Sequence, residues 1–144
     1  MSAPRAVLLD TCAMIWLAND LPLARSAMLA IVAAGLSEGI FVSTTSAWET
    51  GFLSRPMPGC PRQVECRPDA KTWFARFLAG PGVREAAITP AIVIDASYLP
   101  GDLHPDPADC LIIATARHMG VPIVTRDQKI IAYAAAGHVD VIPC

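Results

Sequence analysis

The feature that most constrains this chain is its alternation of short β-rich apolar runs with segments of helical character. No hairpin turn of the Asn-Gly type joins any two of the runs. The expected strands are Ala6–Leu9, Ile40–Ser43, Ala86–Thr89, Pro122–Thr125 and Val139–Ile142. The expected helices are Thr11–Leu17, Pro22–Ala34, Ser46–Leu53, Asp69–Leu78, Pro90–Leu99, Pro107–Met119 and Lys129–Ala136. Strands joined through helices run parallel, because a parallel pair needs a long crossover. The pattern therefore predicts an α/β domain with a mostly parallel sheet covered on both faces. A chain of 144 residues has room for one such domain, spanning residues 1–144. One segment departs from the pattern. Residues 55–68 hold Pro56, Pro58, Pro61, Pro68 and Gly59 and read as a loop.

Hydrophobic residues make up 53% of the chain, enough for a core without disulfide staples. The longest apolar stretch, Ala27 to Leu36, is well short of a membrane span. Asp10 interrupts the first apolar run before it could serve as a secretory signal, so a cytoplasmic location is expected. The five cysteines (Cys12, Cys60, Cys66, Cys110 and Cys144) have no paired spacing and are expected to be free thiols. Cys60 and Cys66 have no histidine nearby, which argues against a zinc site.

The acids are the main clue to chemistry. Asp10 follows the first strand, Glu49 lies one turn into the helix after the second, Asp106 and Asp109 open the Pro107 helix, and Asp127 follows the Ile123–Thr125 run. In an open parallel sheet, ligands bind outside the carboxyl ends of the strands. Each acid also has a plainer explanation. Asp106-Pro107-Ala108-Asp109 is a good helix start, Ser46-Ala47-Trp48-Glu49 fits a capping box, and Asp10 and Asp127 could each cap the next helix. Capping accounts for each acid alone, but not for four or five on one sheet edge. So many carboxylates repel one another unless a cation joins them. Mg²⁺ and Mn²⁺ suit carboxylate and water oxygens, and such a centre points to phosphate chemistry. No Walker loop and no Gly-x-Gly-x-x-Gly accompanies it.

Four segments in order carry a family likeness: Leu8-Leu9-Asp10-Thr11, Ser46-Ala47-Trp48-Glu49, His104-Pro105-Asp106-Pro107-Ala108-Asp109 running into Leu111–Ala116, and Val124-Thr125-Arg126-Asp127. The chain resembles the PIN-domain family, and within it the VapC-type toxins of toxin–antitoxin modules. The resemblance implies a three-layer α/β/α fold and a Mg²⁺- or Mn²⁺-dependent ribonuclease. Asp10, Glu49, Asp109 and Asp127 map onto the family's acidic quartet, and Asp106 onto an additional metal-site acid. Thr11 and Thr125 map onto supporting hydroxyls, with Ser46 beside them. A homodimer and a small VapB-like antitoxin are the implied partners. Cys110 stands where the subgroup often carries Arg, and Cys12 where other residues are common; neither removes an acid.

Net charge is −2, but Arg55–Arg84 carries six basic and two acidic residues, leaving the rest of the chain at −6. Within it Arg62, Arg67, Lys71 and Arg76 are the expected RNA contacts, since phosphate binding dominates such affinity. Trp73 and Phe77 could stack on bases but at helical spacing read as core or dimer residues, and Trp16 and Trp48 read as packing residues. Part of the apolar Pro22–Ala34 stripe is expected to stay exposed for a partner. Two other classes fit less well. A non-catalytic module of the same shape would not need all four acids. A Mg²⁺-binding signalling receiver would need an adjacent acidic pair early in the chain and a late Lys, where this chain has Asp10 without an acidic neighbour and Arg126-Asp127.

Overall fold

A computed structural model describes residues 3–59, 62–102 and 106–144. His104 and Cys60 therefore lie outside the described residues. In chain order the elements are β1 (Ala6–Leu9), α1 (Thr11–Ala18), α2 (Arg25–Gly35), β2 (Gly39–Ser43), α3 (Thr44–Ser54), α4 (Ala70–Leu78), β3 (Val83–Ala86), α5 (Pro90–Ser97), α6 (Pro107–Met119), β4 (Ile123–Thr125), α7 (Gln128–Ala135) and β5 (Val141–Pro143). All pairings are parallel and the sheet order is β3-β2-β1-β4-β5.

Period-two alternation splits β1 between two cores. Val7 and Leu9 face a layer that includes Met14, Ile31 and Phe74, from α1, α2 and α4. Leu8 faces a second layer of Ile112, Ile113, Ile130 and Tyr133, from α6 and α7. Residues 6–9 are fully enclosed, as a central strand covered on both sides must be. This is the expected three-layer α/β/α arrangement. Sheet order removes the receiver alternative, because receivers run 2-1-3-4-5. Here the order reverses between β1 and β4, and the switch-point crevice opens at their carboxyl ends.

Several boundaries differ from expectation for identifiable reasons. β3 covers Val83–Ala86, not Ala86–Thr89. Its middle residues, Arg84 and Glu85, are exposed on a sheet edge and carry no apolar signal. Thr89 instead caps α5, accepting from the Ile92 N–H at 3.3 Å. β5 begins at Val141, two residues later than expected, while Val139 packs in the second core. α2 begins at Arg25 rather than Pro22. α3 begins at Thr44, with Ser43 as its cap through the Thr45 N–H at 3.0 Å. The expected capping box from Ser46 to Glu49 therefore does not exist: both residues lie inside α3.

Gly82 sets the start of β3. Its φ is +73°, and a Cβ there would meet the Gly35 carbonyl oxygen at 2.5 Å. Its own carbonyl accepts from the Ile40 N–H at 2.7 Å, locking the β2–β3 register. Gly82→Ala is therefore expected to destabilise the chain by about 2 kcal/mol or more. Gly51→Ala, inside α3 with open space around it, should stabilise by up to about 1 kcal/mol. Chemical denaturation of both variants checks the pair; equal effects would mean the Gly82 turn is not a constraint.

Candidate active site

Asp10 stands at the end of β1 and is 6% exposed. It caps α1: one carboxylate oxygen accepts from the Ala13 N–H at 2.7 Å, and the other from the Thr125 hydroxyl. Thr125, fully buried at the end of β4, also accepts from the Asp127 N–H at 3.0 Å. One hydroxyl thus ties the ends of the two strands that flank the crevice. Asp127 in turn caps α7, with one oxygen on the Lys129 N–H at 2.7 Å.

Glu49 arrives from the other side. Thr11, buried at the start of α1, donates to its Oε1 at 2.5 Å and lies 3.0 Å from the Ser46 hydroxyl. The single Thr11 proton is committed to Glu49, so Ser46 is the donor to Thr11. α3 therefore uses Ser46 and Glu49, one turn apart on one face, to grip α1. Asp106 caps α6 through the Ala108 and Asp109 N–H groups, at 2.9 and 3.3 Å. Asp109 sits in the first turn of α6, and its carboxylate makes no hydrogen bond among the described residues.

All five carboxylates line one cavity of ≈ 380 Å³, with Arg126 and Trp16 on its wall. The capping account of Asp10, Asp106 and Asp127 is correct, yet the caps converge. Electrostatics registers the crowding. Burial holds the Asp109 carboxyl up to about 7, and the charges of Asp106, Asp127, Glu49 and Asp10 add to it. Burial also raises Glu49, against the Thr11 hydrogen bond, and Asp106 and Asp10 push the same way. Burial raises Asp10 against its two hydrogen bonds. The exposed Cys12 thiol is pushed up to about 11 by desolvation and by the same acids, which keeps it protonated at neutral pH.

The donor set would suit a hard divalent cation: the carboxylates offer oxygen donors, and their mutual repulsion is what such a charge would offset. Among the described residues no three acid, thiol or imidazole groups form a ready-made cage.

The remaining expected residues distribute unevenly. Arg62, Arg67, Lys71 and Arg76 are all exposed, and none lines the acid cavity. Arg67 pairs with Glu65 at 2.8 Å. Trp73 and Phe77 stack at 6.2 Å between centroids and pack against the first core, as expected of core residues. Trp48 is not a buried packing residue: it is 55% exposed and meets Phe52 in a T-shaped arrangement, with ring centroids 5.3 Å apart. Trp16 is half-buried with the Arg126 guanidinium 4.1 Å above its ring. Arg126, the one cation on the cavity wall among the described residues, escaped the sequence reading because its neighbours were read for acids. It donates to the carbonyls of Cys144 at 2.7 Å and Pro22 at 3.3 Å.

The raised carboxyl of Asp109 has a consequence for stability. Between about pH 4, the usual Asp range, and 7, the folded chain holds a proton that the unfolded chain has released, so stability falls as pH rises through that window. In EDTA, Asp109→Asn should therefore be more stable than wild type above pH 7, by about 1 kcal/mol after allowance for solvent screening, and indistinguishable near pH 4. Mg²⁺ should shrink the difference by relieving the repulsion. Thermal melts across pH check this, and a difference that ignores pH would mean the acids do not share a field.

Comparison with known proteins bears on the family and the fold. A family model described as PIN domain matches residues 7–136. Ribonuclease VapC22 of Mycobacterium tuberculosis is 30% identical over 124 residues, covering 86% of this chain and 88% of that protein. The crystal structure of VapBC2 from Rickettsia felis bound to a promoter DNA fragment superposes with a TM-score of 0.68 at 13% identity, over 96% of this chain and 98% of that one. VapBC-5 from Mycobacterium tuberculosis superposes at 0.60 with 16% identity, over 98% and 100%. At those identities the two structures speak for the fold, while the family model and the 30% relative speak for descent: this chain belongs to the PIN-domain family.

Proposed function

We propose that the chain is a VapC-type endoribonuclease, the toxin of a toxin–antitoxin pair, hydrolysing RNA phosphodiester bonds with Mg²⁺ or Mn²⁺. The observation that carries this reading is the single cavity at the switch point into which α1, α3, α6 and α7 deliver five carboxylates. A relative named a ribonuclease supports the reaction class. Asp10, Glu49, Asp109 and Asp127, with Asp106 beside them, are the residues that would hold the cation. When bound, it supplies Lewis acidity toward phosphate oxygens and offsets the charge that builds on them.

The chain's own residues do the rest. Thr125 and the Ala13 N–H fix both oxygens of Asp10, and Thr11 fixes Glu49, so these two carboxylates are held before substrate arrives. Asp109 has no such restraint among the described residues, which leaves its oxygens to orient a water and accept its proton. The exposed Arg62, Arg67, Lys71 and Arg76 are available to the RNA backbone. A VapB-like antitoxin and a second copy of the chain are the partners in this reading. Leu29, Val32 and Leu36 at α2 and Trp48 and Phe52 on α3 are exposed apolar surface that partners would cover. No helix among the described residues is long and apolar enough to cross a membrane, and cytoplasmic action on RNA is part of the proposal.

Purified chain, freed of any antitoxin, should cut total cellular RNA into discrete fragments with Mg²⁺ but not with EDTA. Asp109→Asn should abolish the fragments. Cleavage that persists in both controls, or no cleavage together with no Mg²⁺ or Mn²⁺ binding, would sink the reading. Thr125→Val should lower kcat about 10–100-fold by releasing Asp10 and the Asp127 turn, and Thr125→Ser should restore most of it. Equal losses in the Val and Ser variants would show that the hydroxyl is not what matters.

A further inference from the structure

A second cavity of ≈ 530 Å³ adjoins the acid cavity, and the two share Cys12 and Trp16. One wall is α1 and the residues after it, Trp16, Asn19 and Leu21. The facing wall is the loop after α3, with Gln63 and Val64. This loop wall is built rather than loose. The Gln63 and Val64 N–H groups both donate to the Leu53 carbonyl at 3.1 Å, Val64 packs against the first core, and Cys66 is buried behind it. Trp16 is held by Arg126, itself held by two carbonyls. Between these walls stand two exposed amides, Asn19 and Gln63, whose side chains make no hydrogen bond among the described residues.

We propose that this groove receives one unpaired nucleobase of the RNA strand, next to the bond being cut, with Trp16 as its aromatic wall and Asn19 and Gln63 as the groups that read it. The proposal rests on the ribonuclease reading of the adjoining cavity. Four observations favour a base over a segment of a partner protein. The groove shares Cys12 and Trp16 with the acid cavity, so a strand whose phosphate lies among the acids would bring a neighbouring base toward Trp16. Its lining joins an aromatic side chain and apolar walls to amides that can both donate and accept, as base recognition in single strands requires. Its volume lies in the range of small-molecule sites and is far too small for a duplex. Finally, among the described residues the one acid on the lining, Glu65, is paired with Arg67, so the groove itself presents no unpaired carboxylate to a strand.

The test uses the full chain and single-stranded oligonucleotides carrying a cleavage site mapped on cellular RNA. Each nucleotide flanking the scissile bond is replaced in turn by the other three bases and by an abasic residue. Wild type should prefer one base at one flanking position by about tenfold and lose that advantage on the abasic strand. Asn19→Ala and Gln63→Ala, both exposed substitutions, should flatten the preference until the favoured sequence is cut within about threefold of the others. Trp16→Ala should raise KM on every sequence, with Trp16→Phe close to wild type. Cleavage that is metal-dependent but indifferent to the flanking bases overturns this proposal and leaves the ribonuclease reading standing. So does a base preference that survives both amide variants while they release a co-purifying protein, which would assign the groove to a partner. If the wild-type chain cuts no RNA although it binds Mg²⁺ and is free of antitoxin, the ribonuclease reading falls and takes this one with it.

Discussion

The structure hangs on the burial of one carboxylate. Asp10 closes the central strand, so it must be enclosed where β1, β4 and α1 meet, and a buried charge is costly unless hydrogen-bonded. Two donors meet that demand: the Ala13 N–H, available because α1 starts there, and the Thr125 hydroxyl, available because β4 ends there. The β1–β4 pairing of Leu8 with Ile123 and Leu9 with Val124, and the Asp10 N–H on the Val124 carbonyl at 3.1 Å, bring Thr125 into reach. Sheet register and acid placement are thus one constraint. A slip of one residue would exchange the β4 side chains between the two buried faces of the sheet and leave Asp10 without its second partner.

Helix capping and metal chemistry use the same atoms without conflict. A capping Asp gives an oxygen to backbone N–H groups, which fixes its orientation and leaves the carboxylate charge in place. Asp10, Asp106 and Asp127 are all of this kind, so the helix starts that stabilise the fold also aim the site. Glu49 and Asp109 come instead from inside α3 and α6, and among the described residues only Glu49 of these two has a side-chain anchor, Thr11. The cavity therefore combines a rigid set of acids with one freer member, and the freer member, Asp109, is the one whose proton affinity lies near neutrality.

The layered fold and the five acids were legible in the sequence because both are written in local signals: apolar runs, and acids where runs end. What escaped was set by contacts between distant segments. β3 is half charged because its edge position demands it, so nothing apolar marked Val83–Ala86 as a strand. Ser43, Thr44, Thr45 and Ser46 are four consecutive hydroxyls, any of which could cap α3, and pairing of Ser43 with Ala86 at the end of β2 makes Ser43 the cap. Ser46 is thereby released to hold Thr11. Trp16 read as packing because an aromatic in an apolar helix usually is. Its partnership with Arg126 spans 110 residues and leaves no trace in either local sequence.

The two outer strands have a consequence for how this molecule can associate. β3 presents Arg84 and Glu85 at one margin of the sheet, and β5 carries Pro143, which lacks an N–H, at the other. Both are devices that discourage an incoming strand from extending a sheet. Growth by strand addition is therefore disfavoured at either margin, whether by another copy or by an extended peptide. In the proposed complexes, partners would then meet the helical layers, where α2 and α3 expose apolar side chains.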